Sequence, residues 1–257
     1  IRYYYASRGL GDVYKRQEEF NSLTDRLQTT ETLRRRFVSD ASHELKTPLA
    51  AIRLLTDSIL QTDQMDMETV RDFVTDIGSE AERLSRITED LLRLTRLDSD
   101  LLDAPETVEV APVLEQVMRM MSLLAQEKGT ELTYRMEENC RVSATKGEVH
   151  QVIYNLTDNA VKYSGKNGKV RVELRHEDHD VVLTVADNGP GIPEEDLPKV
   201  FERFYRVDKS HSKASGGTGL GLSIVKHAVA YHHGTLDLES QPGKGTTITV
   251  TIPKKKP

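Results

Sequence analysis

Two long helical runs, each with one narrow apolar seam, restrict most strongly how this chain folds. The runs cover residues 20–60 and 67–97. Their apolar side chains recur at alternating steps of three and four, at Val38, Ala41, Leu45, Pro48, Ile52, Leu55, Ile59, Phe73, Ile77, Leu84, Ile87, Leu91 and Leu94. One hairpin cannot bury two such seams well, whereas two hairpins make a four-helix bundle. The pattern therefore predicts a homodimer, although Glu80 occupies one seam position.

The composition changes after the second helical run. Asp-rich sequence begins at Asp98 and Pro105 follows, which predicts a linker and hinge. Strand signals then alternate with helical runs, the strands at 131–136, 170–176, 181–187, 235–239 and 246–252 and the helices at 113–128, 147–163 and 219–232. This order predicts an α+β sandwich with helices on one face of a sheet. We expect an entry helix at 18–36, a dimerisation domain at 37–100 and a second domain at 105–254.

Residues 1–17 differ in character from the rest of the chain. The segment at 12–17 reads DVYKRQ and resembles the in-frame translation of a transposon adapter. We therefore treat 1–17 as a non-native or disordered segment, with a natural flexible terminus as the alternative. If the segment is foreign, the natural protein continues upstream of Glu18.

Charge and cysteine content narrow the classes of partner and compartment. The formal net charge of -6 argues against nucleic acid as the main partner, because phosphate backbones attract basic surfaces. The single cysteine rules out an intramolecular disulfide and is compatible with a reducing compartment. No apolar run approaches the roughly 20 residues that a membrane-spanning helix needs.

The segment FVSDASHELKTPL at residues 37–49 contains the best candidate nucleophile. If Val38 and Leu45 face the seam, His43 faces solvent, where much of an imidazole population is neutral and nucleophilic at pH 7. Glu44 would accept the proton on Nδ1 and leave Nε2 to attack phosphorus. Pro48 should bend the helix one turn later. Taken alone, the pattern also fits an ordinary exposed histidine.

Four further blocks follow in the second domain. They are EVHQVIYNLTDNAVKY at 148–163, DNGPGIP at 187–193, VFERFYRVD at 200–208 and GTGLGL at 217–222. The first is a helix with an apolar stripe and a separate polar face that carries Asn155, Asn159 and Lys162. Glycines let backbone approach a ligand closely, and a helix N-terminus favours phosphate. Each block alone also fits an amphipathic helix or a surface turn.

Together the five blocks resemble the H, N, G1, F and G2 boxes of two-component sensor histidine kinases, in the same order. The match covers residues 37–49 and most of 105–253. It implies an ATPase domain of the Bergerat (GHKL) type beside the helical hairpin. It also implies that ATP phosphorylates His43 and that the phosphoryl group passes to an aspartate of a response regulator.

The resemblance assigns a role to each matching residue. Asn155 would coordinate Mg2+ with support from Asn159, and Lys162 and Arg206 would meet phosphate. Tyr163 would lie near adenine, whose amino group Asp187 would bind. The other ATP-binding positions that the resemblance implies are Gly189, Gly191, Gly217, Thr218, Gly219, Leu220 and Gly221. Phe201 and Phe204 would anchor the segment before the last block.

Thr47 matches family members that also remove phosphate from the regulator, by orienting a water toward it. The alternative is that Thr47 only bonds local backbone before Pro48. Residues 20–27 look like the end of a signalling helix, so the resemblance assigns the helix at 18–36 to signalling. It also implies the cytoplasmic core of a cell-membrane protein.

Two other readings of the sequence stay open. One is another ATPase of the same superfamily, such as a chaperone, topoisomerase or mismatch-repair ATPase, and these lack the His43 segment. The other is a non-catalytic dimer scaffold, which the presence of Asn155, Asn159 and Asp187 disfavours. His232 and His233 give no clustered metal site, and His233 replaces a glycine often found there in the family.

Overall fold

The N-terminal part of the protein is a helical hairpin. The structure, a computed structural model, describes residues 2–62, 64–97, 104–165, 167–207 and 217–254. Helix α1 spans Arg2–Gln61 and helix α2 spans Met67–Leu97. The backbone of residues 2–17, which the sequence led us to treat as foreign or disordered, is helical. A helix already nucleated downstream extends at low cost, and helical geometry does not test where a segment came from.

The hairpin buries the two predicted seams against each other only in part. Pro48, Ile87 and Leu94 are buried, whereas Val38 at the start of the seam is 57% exposed. Helix α1 continues through Pro48. Most of the remaining seam side chains are half-buried in one protomer, as expected where a second hairpin completes the core. None of the described helices is long and apolar enough to cross a bilayer.

The second domain is a sheet with helices on one side. Its elements are β1 (Glu106–Glu109), α3 (Val110–Glu127), β2 (Glu131–Met136), β3 (Arg141–Ala144), α4 (Lys146–Tyr163), β4 (Lys169–Glu177), β5 (Asp180–Asp187), α5 (Gly221–Tyr231), β6 (Thr235–Gln241) and β7 (Gly245–Pro253). The five-stranded sheet has the order β2-β4-β5-β7-β6. Strands β2 and β4 are parallel, and the other neighbouring pairs are antiparallel. Strands β1 and β3 form a separate antiparallel pair.

The core of this domain lies between the sheet and helices α3, α4 and α5. Buried side chains from α3, α4 and α5 pack with the inward side chains of β4, β5 and β7 in one cluster. This arrangement confirms the predicted sandwich with helices on one face. The predicted elements of this domain agree with the structure to within about three residues, but the sequence pattern did not predict β1 and β3. Most of the proposed hinge, 98–103, lies outside the described residues.

The N-terminus of α4 is fixed by a capping box and a buried histidine. Thr145 Oγ1 accepts from the Glu148 N–H at 3.2 Å, and Glu148 Oε2 accepts from the Thr145 N–H at 2.8 Å. His232 follows α5 and places Nε2 3.3 Å from Glu148 Oε2. Desolvation opposes ionisation of Glu148, but the adjacent His232 imidazole and the hydrogen bonds with Thr145 outweigh it and lower the pKa of this carboxyl. The contact ties the start of α4 to the end of α5.

Glu148→Gln tests whether this charge stabilises the domain. Because the lowered pKa of Glu148 means that the folded state favours the carboxylate, the stabilisation should be present above the ordinary glutamate value of about 4.3 and lost as pH falls below it. We expect a loss of about 1–3 kcal/mol at pH 7.5, measured by urea unfolding. The exposed Glu115→Gln, which loses a pair with Arg119 on α3, is the control and should change little. A loss of the same size at pH 3.5 would contradict a role for the charge.

Candidate functional site

His43 is exposed on α1, as the seam pattern predicts. Its neighbour Glu44 turns toward α2, where Oε2 accepts from Arg83 Nη2 at 3.1 Å. Thr47 Oγ1 donates to the His43 carbonyl at 3.2 Å, one turn back along the helix. The structure thus leaves the imidazole accessible to a phosphate donor. The neighbouring carboxylate is held by Arg83, which no local sequence pattern indicates.

The polar face of α4 carries a chain of amide hydrogen bonds. Asn155 is 8% exposed, and its Nδ2 donates to the Gly221 carbonyl at 3.3 Å. Gln151 Nε2 donates to Asn155 Oδ1 at 3.1 Å, while Gln151 Oε1 accepts from Arg93 on α2. Asn155 therefore connects α4 to the start of α5. No local sequence pattern indicates Gln151 or Arg93, because the bond between them joins two domains.

Lys162 ends the same polar face, with the half-buried Asn159 one turn earlier. Burial lowers the pKa of Lys162 to about 8, a shift that Asp158 opposes and Arg206 adds to. A side chain at Gly217 would collide with Lys162 Nζ, so the ammonium lies directly against the first glycine of the 217–222 block. A desolvated cation beside a glycine backbone is suited to binding phosphate.

Asp187 is the last residue of β5. Its Oδ1 accepts from the Gly189 N–H at 2.7 Å, and burial raises the pKa of this carboxyl against that hydrogen bond. A Cβ at Gly189 would lie 2.6 Å from the Tyr163 carbonyl, which places the turn against the end of α4. The Tyr163 side chain is 46% exposed. Asp187 is thus a partly desolvated acceptor, as an amino group of a base requires.

Gly191 and Gly219 have backbone conformations that other residues adopt only with strain. Gly191 has φ +71° and lies against the Gln241 carbonyl. Gly219 has φ +72°, and a Cβ there would lie too close to the Phe204 backbone, at 2.9 Å. Phe204 itself has φ 62°, and its N–H donates to the Gly219 carbonyl at 2.9 Å. This bond joins the 200–208 block to the 217–222 block.

Arg206 lies at the same junction. Its Nη1 donates to the Gly217 carbonyl at 2.8 Å. The guanidinium therefore lies near Lys162, at the start of the glycine block, which comprises residues 217–222. A terminal phosphate is the ligand that the sequence predicts for Arg206, and that role stays a prediction. Residues 208–216 lie outside the described part of the chain.

The glycine block also contacts the helical hairpin directly. Thr218 Oγ1 donates to Asp90 Oδ2 on α2 at 2.9 Å. Leu220 and Ile224 are buried against Leu94, in a cluster that Phe37, Leu91 and Phe204 complete. The Leu220 side chain therefore faces α2, so any nucleotide contact from this residue comes from its backbone. Asp90 had no signal in the sequence, because its partner lies in the other domain.

A magnesium ion would find oxygen ligands here but no carboxylate cage. Among the described residues there is no group of three His, Cys, Asp or Glu that could hold a metal. Asn155 Oδ1 has two lone pairs, of which Gln151 uses one. Mg2+ is commonly held by one or two protein oxygens together with substrate phosphates. The donor set fits that arrangement.

Two family models match the chain. The His Kinase A (phospho-acceptor) domain matches residues 33–100, and the histidine kinase-, DNA gyrase B-, and HSP90-like ATPase matches residues 144–256. The sensor-like histidine kinase SenX3 of Mycolicibacterium smegmatis is 38% identical over 225 residues, which are 87% of this chain and 58% of that protein. The chain thus spans little more than half of this relative.

Solved structures resemble the protein as well. A mycobacterial sensor histidine kinase, MprB, is 30% identical with a TM-score of 0.50, over 58% of this chain and 97% of that one. Full-length ShkA in complex with AMPPNP is 28% identical with a TM-score of 0.61, over 82% of this chain and 44% of that one.

Asp187→Asn tests the part of the candidate site that is predicted to bind adenine. Asn keeps an acceptor oxygen but removes the charge, and we expect adenosine nucleotide affinity to fall at least tenfold, measured by calorimetry with AMPPNP. In the unaltered protein, nucleotide affinity should fall as the pH is lowered and Asp187 becomes protonated. This loss should occur at a higher pH than for an ordinary aspartate, because the pKa of Asp187 is raised. Asp180→Asn, at the other end of β5, is the matched control.

Asn159→Asp should also weaken binding, and both variants should remain dimers. Unchanged affinity in Asp187→Asn and Asn159→Asp would refute the site.

Proposed function

The chain belongs to the two-component sensor histidine kinase family, and we propose that it is a kinase core that transfers the γ-phosphoryl group of ATP to His43. The second step is transfer from His43 to an aspartate of a response regulator. SenX3 and MprB are named sensor histidine kinases, and ShkA was solved with an ATP analogue. These names support the same activity here.

The contact between the glycine block and the hairpin is the observation that carries this proposal. Thr218 bonds Asp90 on the hairpin whose other helix presents His43 to solvent. A chaperone-like or topoisomerase-like ATPase needs no exposed histidine on a helix that its nucleotide loop touches. The combination favours phosphoryl transfer within the family over ATP hydrolysis alone.

Each side chain of the candidate site has a separate role in the proposed phosphoryl transfer. Nε2 of neutral His43 attacks the γ-phosphorus, the bond to the β,γ-bridging oxygen breaks, and ADP leaves. The imidazole becomes positively charged as the new P–N bond forms, and its Nδ1 proton passes to a carboxylate, for which Glu44 is the nearest candidate along the chain. Lys162 and Arg206 neutralise phosphate charge, while Asp187 holds the base.

Mg2+, held by Asn155 with Asn159 in support, would add charge neutralisation at the phosphates when bound. Asn155 is already oriented for this by Gln151 and Gly221. Gly189, Gly191, Gly217, Gly219 and Gly221 supply backbone close to the ligand. Tyr163 lies beside the Asp187 turn and is exposed enough to meet the adenine ring.

We propose further that the working unit is a homodimer at the cytoplasmic side of a cell membrane. The half-buried seams support dimerisation, and the family supports a membrane receptor whose other parts lie outside this chain. The regulator is the expected protein partner, and the net charge of -6 favours it over nucleic acid.

His43→Gln tests the nucleophile. The variant should bind AMPPNP with unchanged affinity but lose self-phosphorylation, because the imidazole lies outside the nucleotide pocket. The measurement is acid-labile, base-stable phosphate after incubation with ATP and Mg2+. His179→Gln, an exposed histidine between β4 and β5, should label at the rate of the unaltered chain. Normal labelling of His43→Gln would disprove the assignment.

Thr47→Ala tests a phosphatase role for the hydroxyl one turn from His43. We expect near-normal labelling of His43 but at least tenfold slower removal of phosphate from the regulator, because a positioned water loses its hydrogen-bond partner. Thr56→Ala is the matched control, since Thr56 Oγ1 makes the same one-turn bond, to Ile52, at 2.8 Å. Equal dephosphorylation rates for both variants, at matched regulator binding, would leave Thr47 with its local backbone bond alone.

A further inference from the structure

An ion pair links the two helices of the hairpin beside the phosphate acceptor. Arg83 Nη2 lies 3.1 Å from Glu44 Oε2, and the two side chains are 16% and 35% exposed. A partly buried pair of this kind is screened by salt less than a surface pair is. Glu44 faces α2, while its neighbour His43 faces solvent.

Arg83 lies between two carboxylates rather than one. Its Nη1 is 3.8 Å from Glu80 Oε2, and the Glu80 side chain is 25% exposed. Glu80 is the residue that interrupts the apolar seam of α2. Because the guanidinium is planar and always charged, it fixes the direction of a carboxylate that binds it. A charged residue in the seam is costly to bury, and here it lies within ion-pair distance of the arginine that holds Glu44.

We propose that Arg83 is a positioning residue for phosphorylation of His43, acting through Glu44. The inference rests on the proposed kinase function. Successive side chains on a helix project about 100° apart, so Glu44 does not meet His43 merely by being next to it. Arg83 holds Oε2 and leaves the lone pairs of Oε1 for the Nδ1 proton of His43. As Nε2 takes the phosphoryl group, that proton moves to Glu44 and ADP leaves.

Charged groups around Glu44 give the proposal a pH signature. Arg83 and Glu80 face it from α2, and Asp40 and His43 lie near it on α1, Asp40 one turn before it. Without Arg83, Glu44 shares this site with two other carboxylates and no intervening cation. It should then take up a proton at higher pH, because like charges disfavour ionisation.

The experiment measures initial rates of His43 labelling against pH for the dimeric chain. Arg83→Met should lower the rate on the order of tenfold at pH 7.5 and move the acid limb of the profile to higher pH. Arg83→Lys, which keeps the charge but not the planar fork, should restore the acid limb and part of the rate. Arg53→Met, which loses an exposed pair on α1, is the control and should match the parent.

Two further measurements separate positioning from a structural effect. In a Glu44→Gln background, Arg83→Met should cause no additional loss of rate, since the two residues act as one unit. Nitrogen NMR of the dimer without nucleotide should show less His43 with its proton on Nδ1 in Arg83→Met than in the parent. If Arg83→Met does not fold, Arg83→Lys and the Glu44→Gln background carry the test.

The outcomes are distinguishable. Rates within twofold of the parent with an unmoved pH profile, or a full additional loss in the Glu44→Gln background, would overturn the role of Arg83. Absence of labelling in the parent chain would instead overturn the proposed kinase function. AMPPNP affinity should be the same in all variants, because Arg83 lies outside the nucleotide pocket.

Discussion

The double use of α4 is the constraint on which the second domain depends. One face of this helix is buried in the core through Val152, Ile153 and Leu156, and another carries Asn155 and Lys162. A shift of one residue along the helix would turn each side chain by about 100° and exchange core for ligand positions. The capping box and His232 hold the start of the helix, and the Gly221 bond holds its middle. Packing therefore sets the geometry of the candidate phosphate site.

The same helix transmits order across the domain boundary. Arg93 on α2 bonds Gln151, which bonds Asn155, which bonds the start of α5. The candidate metal ligand is thus oriented in part by the hairpin. A change in the position of α2 would therefore alter the orientation of Asn155 through these hydrogen bonds, each of which has a defined donor and acceptor.

Local patterns explain how much of this protein can be predicted from its sequence. Seam periodicity predicts the hairpin and the exposure of His43, and the glycine blocks predict which backbone turns carry the candidate site. Short β1 and β3 escape because four residues carry little periodicity. Arg83, Asp90 and Gln151 escape because each has a partner on another element that lies far away in sequence, namely Glu44, Thr218 and Arg93. The left-handed Phe204 escapes because its conformation is imposed by Gly219 and by packing on Leu94, and no local propensity favours it.

The stability of the contact between the two domains is limited by the buried carboxylate of Asp90. Burying Leu94, Leu220 and Ile224 favours the docked arrangement by at most about 1.5–3 kcal/mol for each side chain, an upper bound because each also packs within its own domain. Asp90 acts in the opposite direction: desolvation raises its pKa even though Thr218 donates to it, so the buried carboxylate recovers hydration when the contact opens. A single hydroxyl bond does not fully replace water around a carboxylate. The docked arrangement therefore holds Thr218 and Leu220 against α2 but carries an internal cost that favours release. The proposed kinase activity requires such release, because the same domain must serve both a nucleotide and an exposed histidine.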